Sequence, residues 1–250
     1  MISNYHSHTY RCHHAVGTER EYVERAIEAG YKIWGFSDHT PFPYPEGLKS
    51  RIRMTMDELD GYCRTVLDLK REYRGDIDIH VGLEVEYFPR YFEEIVKIKE
   101  QYPIEYFLLG QHFTTTEFEG PYSGRPTDDV NILREYRRLV VEAMESGEFL
   151  YVAHPDLINY SGAEFETEAE EICRCAKRLG IPLEINLLGI YEDRHYPNER
   201  FWRKAKKVGN DIILGVDAHA PEQIGYRPAL EKANAMIEQL GLRVIEKADV

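Results

Sequence analysis

Short apolar runs alternate with longer amphipathic stretches along the 250 residues of this chain. The runs fall at residues 33–36, 77–85, 106–109, 150–153, 183–185 and 212–216, and they are rich in β-branched or aromatic side chains. Such runs predict strands buried on both faces. Residues 2–8 form a weaker run of the same kind. Between the runs, apolar positions recur at helical spacing over about residues 20–29, 56–73, 91–101, 130–146, 166–179, 199–208 and 227–240. Thr18 and Thr55 stand where the first two helices need caps, and Gly30, Gly147 and Gly180 where helices should stop. About seven βα units in succession predict an α/β fold, a parallel sheet covered by helices, and the pattern fits an open sheet or a closed barrel. No Gly/Ser/Pro-rich linker divides the chain, so one domain is expected over residues 1–250. No G-x-G-x-x-G follows the first strand and no P-loop is present, which weakens a nucleotide-binding reading.

Composition narrows the class. The chain carries 31 basic and 44 acidic residues, a net charge of −13, with 43% apolar residues and 18 Tyr. That content drives collapse and excludes a disordered chain. No apolar run reaches the ~18–20 residues that cross a bilayer, and Met1–His6 shows no signal-like pattern. The charge argues against nucleic acid or an anionic membrane as partner. It leaves room for a small phosphorylated metabolite in a local basic pocket. Cys12, Cys63, Cys173 and Cys175 have no metal-ribbon or disulfide spacing and read as reduced thiols of a cytoplasmic protein. Nothing in the pattern specifies an oligomeric state.

The placement of the ten histidines is more informative. His6 and His8 close the first strand and Asp38-His39 the second. Glu84 sits late in the third, His112 follows the fourth, His154 ends the fifth, and Asp217 and His219 end the seventh. Six of seven predicted strands thus bring a His, Asp or Glu to their carboxyl ends, the face on which parallel βα folds build sites. Residues two apart on a strand share a side, so His6 pairs with His8 and Asp217 with His219. Imidazoles with a few carboxylates suit zinc, manganese or iron, and two or three ions bridged by a carboxylate would use such a set. One histidine at a strand end is most often only hydrogen-bonded; the repetition on six strands sets these apart. His13 and His80 lack that placement and read as structural or solvated. Glu86 shares a face with Glu84, but its default is a solvated strand end. Cys173 and Cys175 diverge on a helix. Tyr22, Trp34, Tyr62, Phe107 and Phe149 read as core, and the acidic run 164–171 as a solvated helix face.

The motifs His6-Ser7-His8, Cys12-His13-His14-Ala15, Ser37-Asp38-His39, Gly82-Leu83-Glu84, Gly110-Gln111-His112, Ala153-His154-Pro155-Asp156-Leu157 and Gly215-Val216-Asp217-Ala218-His219 together resemble the polymerase-and-histidinol-phosphatase (PHP) superfamily. Within it the chain is similar to the monofunctional histidinol-phosphate phosphatases. The resemblance implies a distorted seven-stranded (β/α) TIM-like barrel. It implies a trinuclear site of zinc, manganese or iron, with His6, His8, Glu84 and Asp217 on one metal. Glu84 would bridge to a second, held also by His112 and His154, and His14, His39 and His219 would hold a third. His14 is preferred to His13 because it lies eight residues after His6 and precedes Ala15. The implied activity is hydrolysis of L-histidinol phosphate, with Glu84, Asp38 and His154 as catalytic groups; Asp38, His154 or a metal-bound water would protonate the leaving alcohol.

Three positions depart from that pattern. Asn4 replaces an Asp two residues before the first histidine, Asn159-Tyr160 replaces a basic residue after His-Pro-Asp-Leu, and Glu184–Tyr191 lacks an Arg. Arg194 and His195 are the substitutes for phosphate binding, with Arg11 and Arg125 behind them. Other readings are a different small phosphoester, a PHP domain that binds or regulates without turnover, and an amidohydrolase. No Lys ends a predicted strand, which counts against the last. Residues 113–129 form a lid or an ordinary loop.

Overall fold

A computed structural model describes residues 1–250. The chain runs β1 (Ser3–Asn4), α1 (Glu19–Glu28), β2 (Ile33–His39), α2 (Met56–Glu72), β3 (Asp78–Val85), α3 (Pro89–Gln101), β4 (Tyr106–Leu109) and α4 (Val130–Glu145). It continues β5 (Phe149–Val152), α5 (Phe165–Leu179), β6 (Leu183–Asn186), α6 (Leu187–Tyr191), α7 (Glu199–Val208), β7 (Asp211–Gly215), α8 (Arg227–Leu240) and β8 (Arg243–Val244). All seven anticipated helices are present within two residues at each end. Thr18 and Thr55 form capping boxes with Glu21 and Glu58, and Gly180 ends α5 at φ 71°.

The strands form one parallel sheet in the order β1 to β8. The expected count of seven is corrected to eight. Arg243–Val244 is too short and polar to register as an apolar run, yet it pairs with the start of β7. The first strand is shorter than expected, because beyond Asn4 its backbone bonds two neighbours at once. Ser7 O accepts from Ser37 N–H, His6 O accepts from Asp217 N–H, and His8 N–H donates to Ala218 O. The sheet therefore curls until the carboxyl ends of β1 and β7 meet.

Alternation along the strands sorts two cores. On β3, Ile79, Val81, Leu83 and Val85 face the helices in a cluster of 52 buried residues that also holds Tyr22, Trp34, Tyr62, Phe107 and Phe149. The opposite side of the sheet holds a small cluster of Tyr5, Tyr106, Leu108, Tyr151, Ala153 and Ile213. The Tyr106 hydroxyl donates to Tyr5 O at 2.6 Å. Its ring fits only because β2 and β3 carry Gly35 and Gly82: a Cβ on Gly82 would lie 2.3 Å from the ring. Glu84, two residues on, keeps the same inward phase. The α/β pattern thus fills the lower interior with tyrosines and leaves the upper interior to polar side chains.

Overpacking a filled interior costs about 1–3 kcal/mol, so Gly82→Ala should lower unfolding free energy by about that amount, measured by urea denaturation. Gly61, inside α2 with nothing near its missing Cβ, should show the opposite sign. Gly61→Ala is expected to gain about 0.5–1 kcal/mol from helix propensity.

Candidate metal centre

Glu84 stands at the middle of the upper interior, 1% exposed. Its Oε1 lies 2.9 Å from His154 Nε2, 3.4 Å from His6 Nε2 and 3.6 Å from His112 Nε2. Its Oε2 lies 2.9 Å from His39 Nδ1 and 3.5 Å from His8 Nε2. Asp217 Oδ1 closes the group at 3.3 Å from His6 Nε2 and 3.0 Å from His8 Nε2. His219 and His14 complete it on one side, with their Nε2 atoms 3.1 Å apart. All nine histidines and carboxylates singled out in the sequence are drawn together.

Cation binding can be tested on the donors themselves. His6 Nε2, His8 Nε2, Glu84 Oε2 and Asp217 Oδ1 are buried and lack a hydrogen-bond partner. Buried polar atoms are rarely left so. Here the orphans converge, and the sets His6–His8–Asp217, His6–Glu84–His154 and His8–His39–His219 each place their ligand atoms within 4.8 Å of one another. The donors fit divalent cations of the zinc class. Cys12 joins a further set with His14 and His219, a neighbour the sequence did not suggest. Burial pushes its thiol pKa far up, so it stays protonated and is a poor ligand.

Outer partners aim the rings. Glu184 Oε2 accepts from His6 Nδ1 at 2.9 Å, Cys12 O faces His14 Nδ1 at 2.7 Å, and Asp217 O faces His219 Nδ1 at 3.0 Å. Asp38 was expected among the catalytic groups. Its carboxylate instead lies behind His8, accepting from Thr9 and from His39 N–H and facing His8 Nδ1 at 3.4 Å. It does not line the cavity, and the ring it faces is that of His8. Glu86 is not solvated either: it pairs with buried Arg53 and accepts from His112 N–H at 3.1 Å. Glu184 and Arg53 were missed in the sequence, because neither belongs to a histidine motif; the inward phase of Glu184 on β6 was the available signal. His13 is exposed, and His80 lies between Asp78 and Glu105 near the amino end of β3.

Electrostatics separates inner from outer rings. Burial opposes charge on His6 and His8, but the surrounding carboxylates, Asp217 foremost, outweigh it. His6 rises well above its ordinary pKa and His8 to about 9. Burial, reinforced by the charge on His8, drives His39 and His219 well below theirs. The imidazoles around Glu84 and Asp217 overcome burial and hold both carboxyls well below the usual range. The inner group thus attracts positive charge, while His39 and His219 stay neutral, the form that binds metal. Two residues of the group, His154 and Asp217, have left-handed backbone at φ 29° and 53°, a strain that concentrates at functional sites.

Above the group opens a cavity of about 560 Å³, lined by His14, His39, His112, His154, Asp217 and His219 below and by Phe113, Tyr122, Leu188, Glu192, Arg194, His195 and Tyr196 around its mouth. Arg194 and His195 therefore stand where a ligand would enter. Arg194 Nη1 donates to the Tyr196 hydroxyl and its Nε to Glu192. Arg11 is corrected: its guanidinium is buried against Glu19 and Thr65 and does not reach the cavity. Arg125 lies outside this cavity and lines a neighbouring groove. Residues 113–129 fold back on themselves through a Phe113–Tyr122 bridge, and Ser123 N–H donates to His112 O at 2.7 Å.

The PHP domain model matches residues 4–187 of this chain. The chain belongs to the PHP domain family. The matched span carries the donors from His6 to His154, and the curled sheet brings Asp217 and His219 of this PHP chain to them. A protein of Deinococcus radiodurans named probable histidinol-phosphatase is 29% identical over 235 residues, which cover 89% of this chain and 88% of that protein. The histidinol-phosphatase of Bacillus subtilis is 26% identical over 255 residues, covering 88% of this chain and 94% of its own length. In fold, the chain matches the histidinol phosphate phosphatase of Lactococcus lactis, solved with zinc, L-histidinol and phosphate. The TM-score is 0.75 at 22% identity, over 100% of this chain and 99% of that one.

Partners that orient metal-binding histidines typically change affinity about 10–100-fold when removed. Glu184→Ala should therefore weaken Zn²⁺ binding in equilibrium dialysis by about that factor, with helix content by circular dichroism retained. Unchanged affinity would remove Glu184 from the account.

Proposed function

We propose that this PHP chain is a divalent-metal-dependent phosphomonoesterase acting on L-histidinol phosphate. The observation that carries this reading is the convergence of five imidazoles on the single buried carboxylate of Glu84 beneath a cavity that holds Arg194. His6, His8, Glu84 and Asp217 would hold one cation. Glu84 with His112 and His154 would hold a second, and His14, His39 and His219 a third. Bound there, zinc, manganese or iron supplies a nucleophilic water at neutral pH and charge compensation at the phosphate oxygens.

The remaining tasks fall to side chains. Glu84 turns its two oxygens to different rings and would contribute to two of the cation positions. Asp38 and Glu184 lock His8 and His6. Arg194 offers a charged fork to a phosphate at the mouth, in place of the Arg absent after β6. Glu192 supplies an acidic partner for a substrate ammonium, and Tyr122 and Tyr196 flat surfaces for an imidazole. His154 faces both Glu84 and the cavity, which supports a catalytic role for it. The full donor set weighs against a PHP domain that only binds. No lysine lines the cavity, which weighs against an amidohydrolase. The two relatives named histidinol-phosphatase support the substrate. The same reading includes a single PHP domain over residues 1–250 arranged as a distorted barrel, a cytoplasmic site of action, and no nucleic-acid partner. No helix is long and apolar enough to cross a membrane.

Phosphate release from a panel of monoesters with Zn²⁺ or Mn²⁺ tests the proposal. L-histidinol phosphate should be turned over fastest, chelation should abolish turnover, and added metal should restore it. His112→Ala should lower kcat by at least about tenfold. Rapid release from another monoester with none from histidinol phosphate would refute the substrate. No release from any ester would refute the enzyme.

A further inference from the structure

A second groove of about 450 Å³ adjoins the catalytic cavity and shares Ile52, Phe113 and Tyr122 with it. Three basic side chains line it: Lys49, Arg51 and Arg125. In this acidic protein most cations are matched, and Arg53 and Arg90 beside the groove are each paired with a carboxylate. Lys49, Arg51 and Arg125 form no ion pair. Glu117 also lines the groove, but its carboxylate is taken by Arg53 and the Tyr44 hydroxyl and cannot neutralise them.

The walls of the groove are built from two fixed segments. Lys49 and Arg51 precede Arg53, which is buried and bound to Glu86, to Glu117 and to Thr40 O. Arg125 sits on a turn closed by its own N–H to Tyr122 O at 3.0 Å, and that turn is tied to His112 O through Ser123. The Arg53–Glu117 pair, at 3.0 Å, joins the two segments. Three unmatched, exposed cations thus line one groove beside a metal-type site, on a chain with a net charge of −13.

We propose that this groove is an anion-binding annex that gathers the phosphate dianion of an incoming monoester before it enters the cavity. The proposal rests on the phosphomonoesterase reading for its role and on the groove alone for its binding. A dianion approaching the acidic surface feels its repulsion only within about a Debye length, ~8–10 Å at physiological salt, so cations lying that close to the cavity mouth decide whether it is turned away or captured. A cleft lined by one sign of charge focuses the local field and raises the concentration of the opposite ion. The annex supplies that field without placing a cation among the histidines, where it would compete with metal.

The test is the combined variant Lys49→Gln, Arg51→Gln, Arg125→Gln, metal-loaded and assayed on L-histidinol phosphate and p-nitrophenyl phosphate across a salt series. Steering of this kind changes capture by about tenfold or more at low ionic strength. KM should rise by about that factor with kcat nearly unchanged, and the difference from the parent should vanish at high salt. Equal KM values at low salt would overturn the annex. So would a fall in kcat with an unaltered salt dependence, which would mark a structural role. If the parent hydrolyses no ester, the functional reading fails separately. Titration calorimetry with inorganic phosphate at low salt then decides the annex: weaker binding by the variant sustains it, and equal affinity refutes it.

Discussion

One carboxylate, Glu84, meets five imidazoles inside a curled parallel sheet, and most of the upper half of the molecule is arranged to permit it. A charge buried this deeply is unfavourable unless compensated. The rings that compensate it arrive from the ends of three strands, β2, β4 and β5, and from the segment after β1, so the sheet must curl for them to meet. Its register is set by ordinary apolar alternation, which sends Leu83 and Val85 to the helices and Glu84 inward. Space for the carboxylate is set by a glycine on the adjacent strand end: a Cβ on Gly110 would lie 1.9 Å from Glu84 Oε1. Gly215 does the same for Glu184, at 2.0 Å. The Gly-x-His and Gly-x-Asp patterns of the sequence thus have a steric reason, since each glycine makes room for a carboxylate of the neighbouring strand.

The same constraint explains the division of the interior. Below the donors, tyrosines fill the curled sheet; the Tyr106 hydroxyl donates to Tyr5 O and Phe36 O, and the Tyr5 hydroxyl to Ala248 O. Above them, polar side chains leave donor atoms unpartnered. Asp38, Glu86 and Glu184 each hold one ring by its far nitrogen or its backbone.

Much of this was legible in the sequence because strand ends mark themselves. An apolar run followed by histidine or aspartate announces both a strand and its functional end, and all nine donors from His6 to His219 followed from that rule and the family resemblance. What stayed hidden depends on tertiary contact. Asp38 reads as one more strand-end acid, and only the fold shows it behind His8. Arg11 lies near the donors in sequence but turns to Glu19 across the top of α1. Arg53 and Glu86 are far apart in the chain and look like surface charges until the loops close over them. The eighth strand, Arg243–Val244, has no apolar signal, because it sits at the edge of β7 with both residues exposed.

The central claim is that Glu84 and its imidazoles exist to hold metal, and the metal content of the purified chain tests it most directly. Elemental analysis of protein expressed and purified without chelators should find at least two transition-metal ions per chain, falling sharply in Glu84→Ala. A chain that stays metal-free after incubation with Zn²⁺, Mn²⁺ and Fe²⁺, while fully folded, would contradict the account.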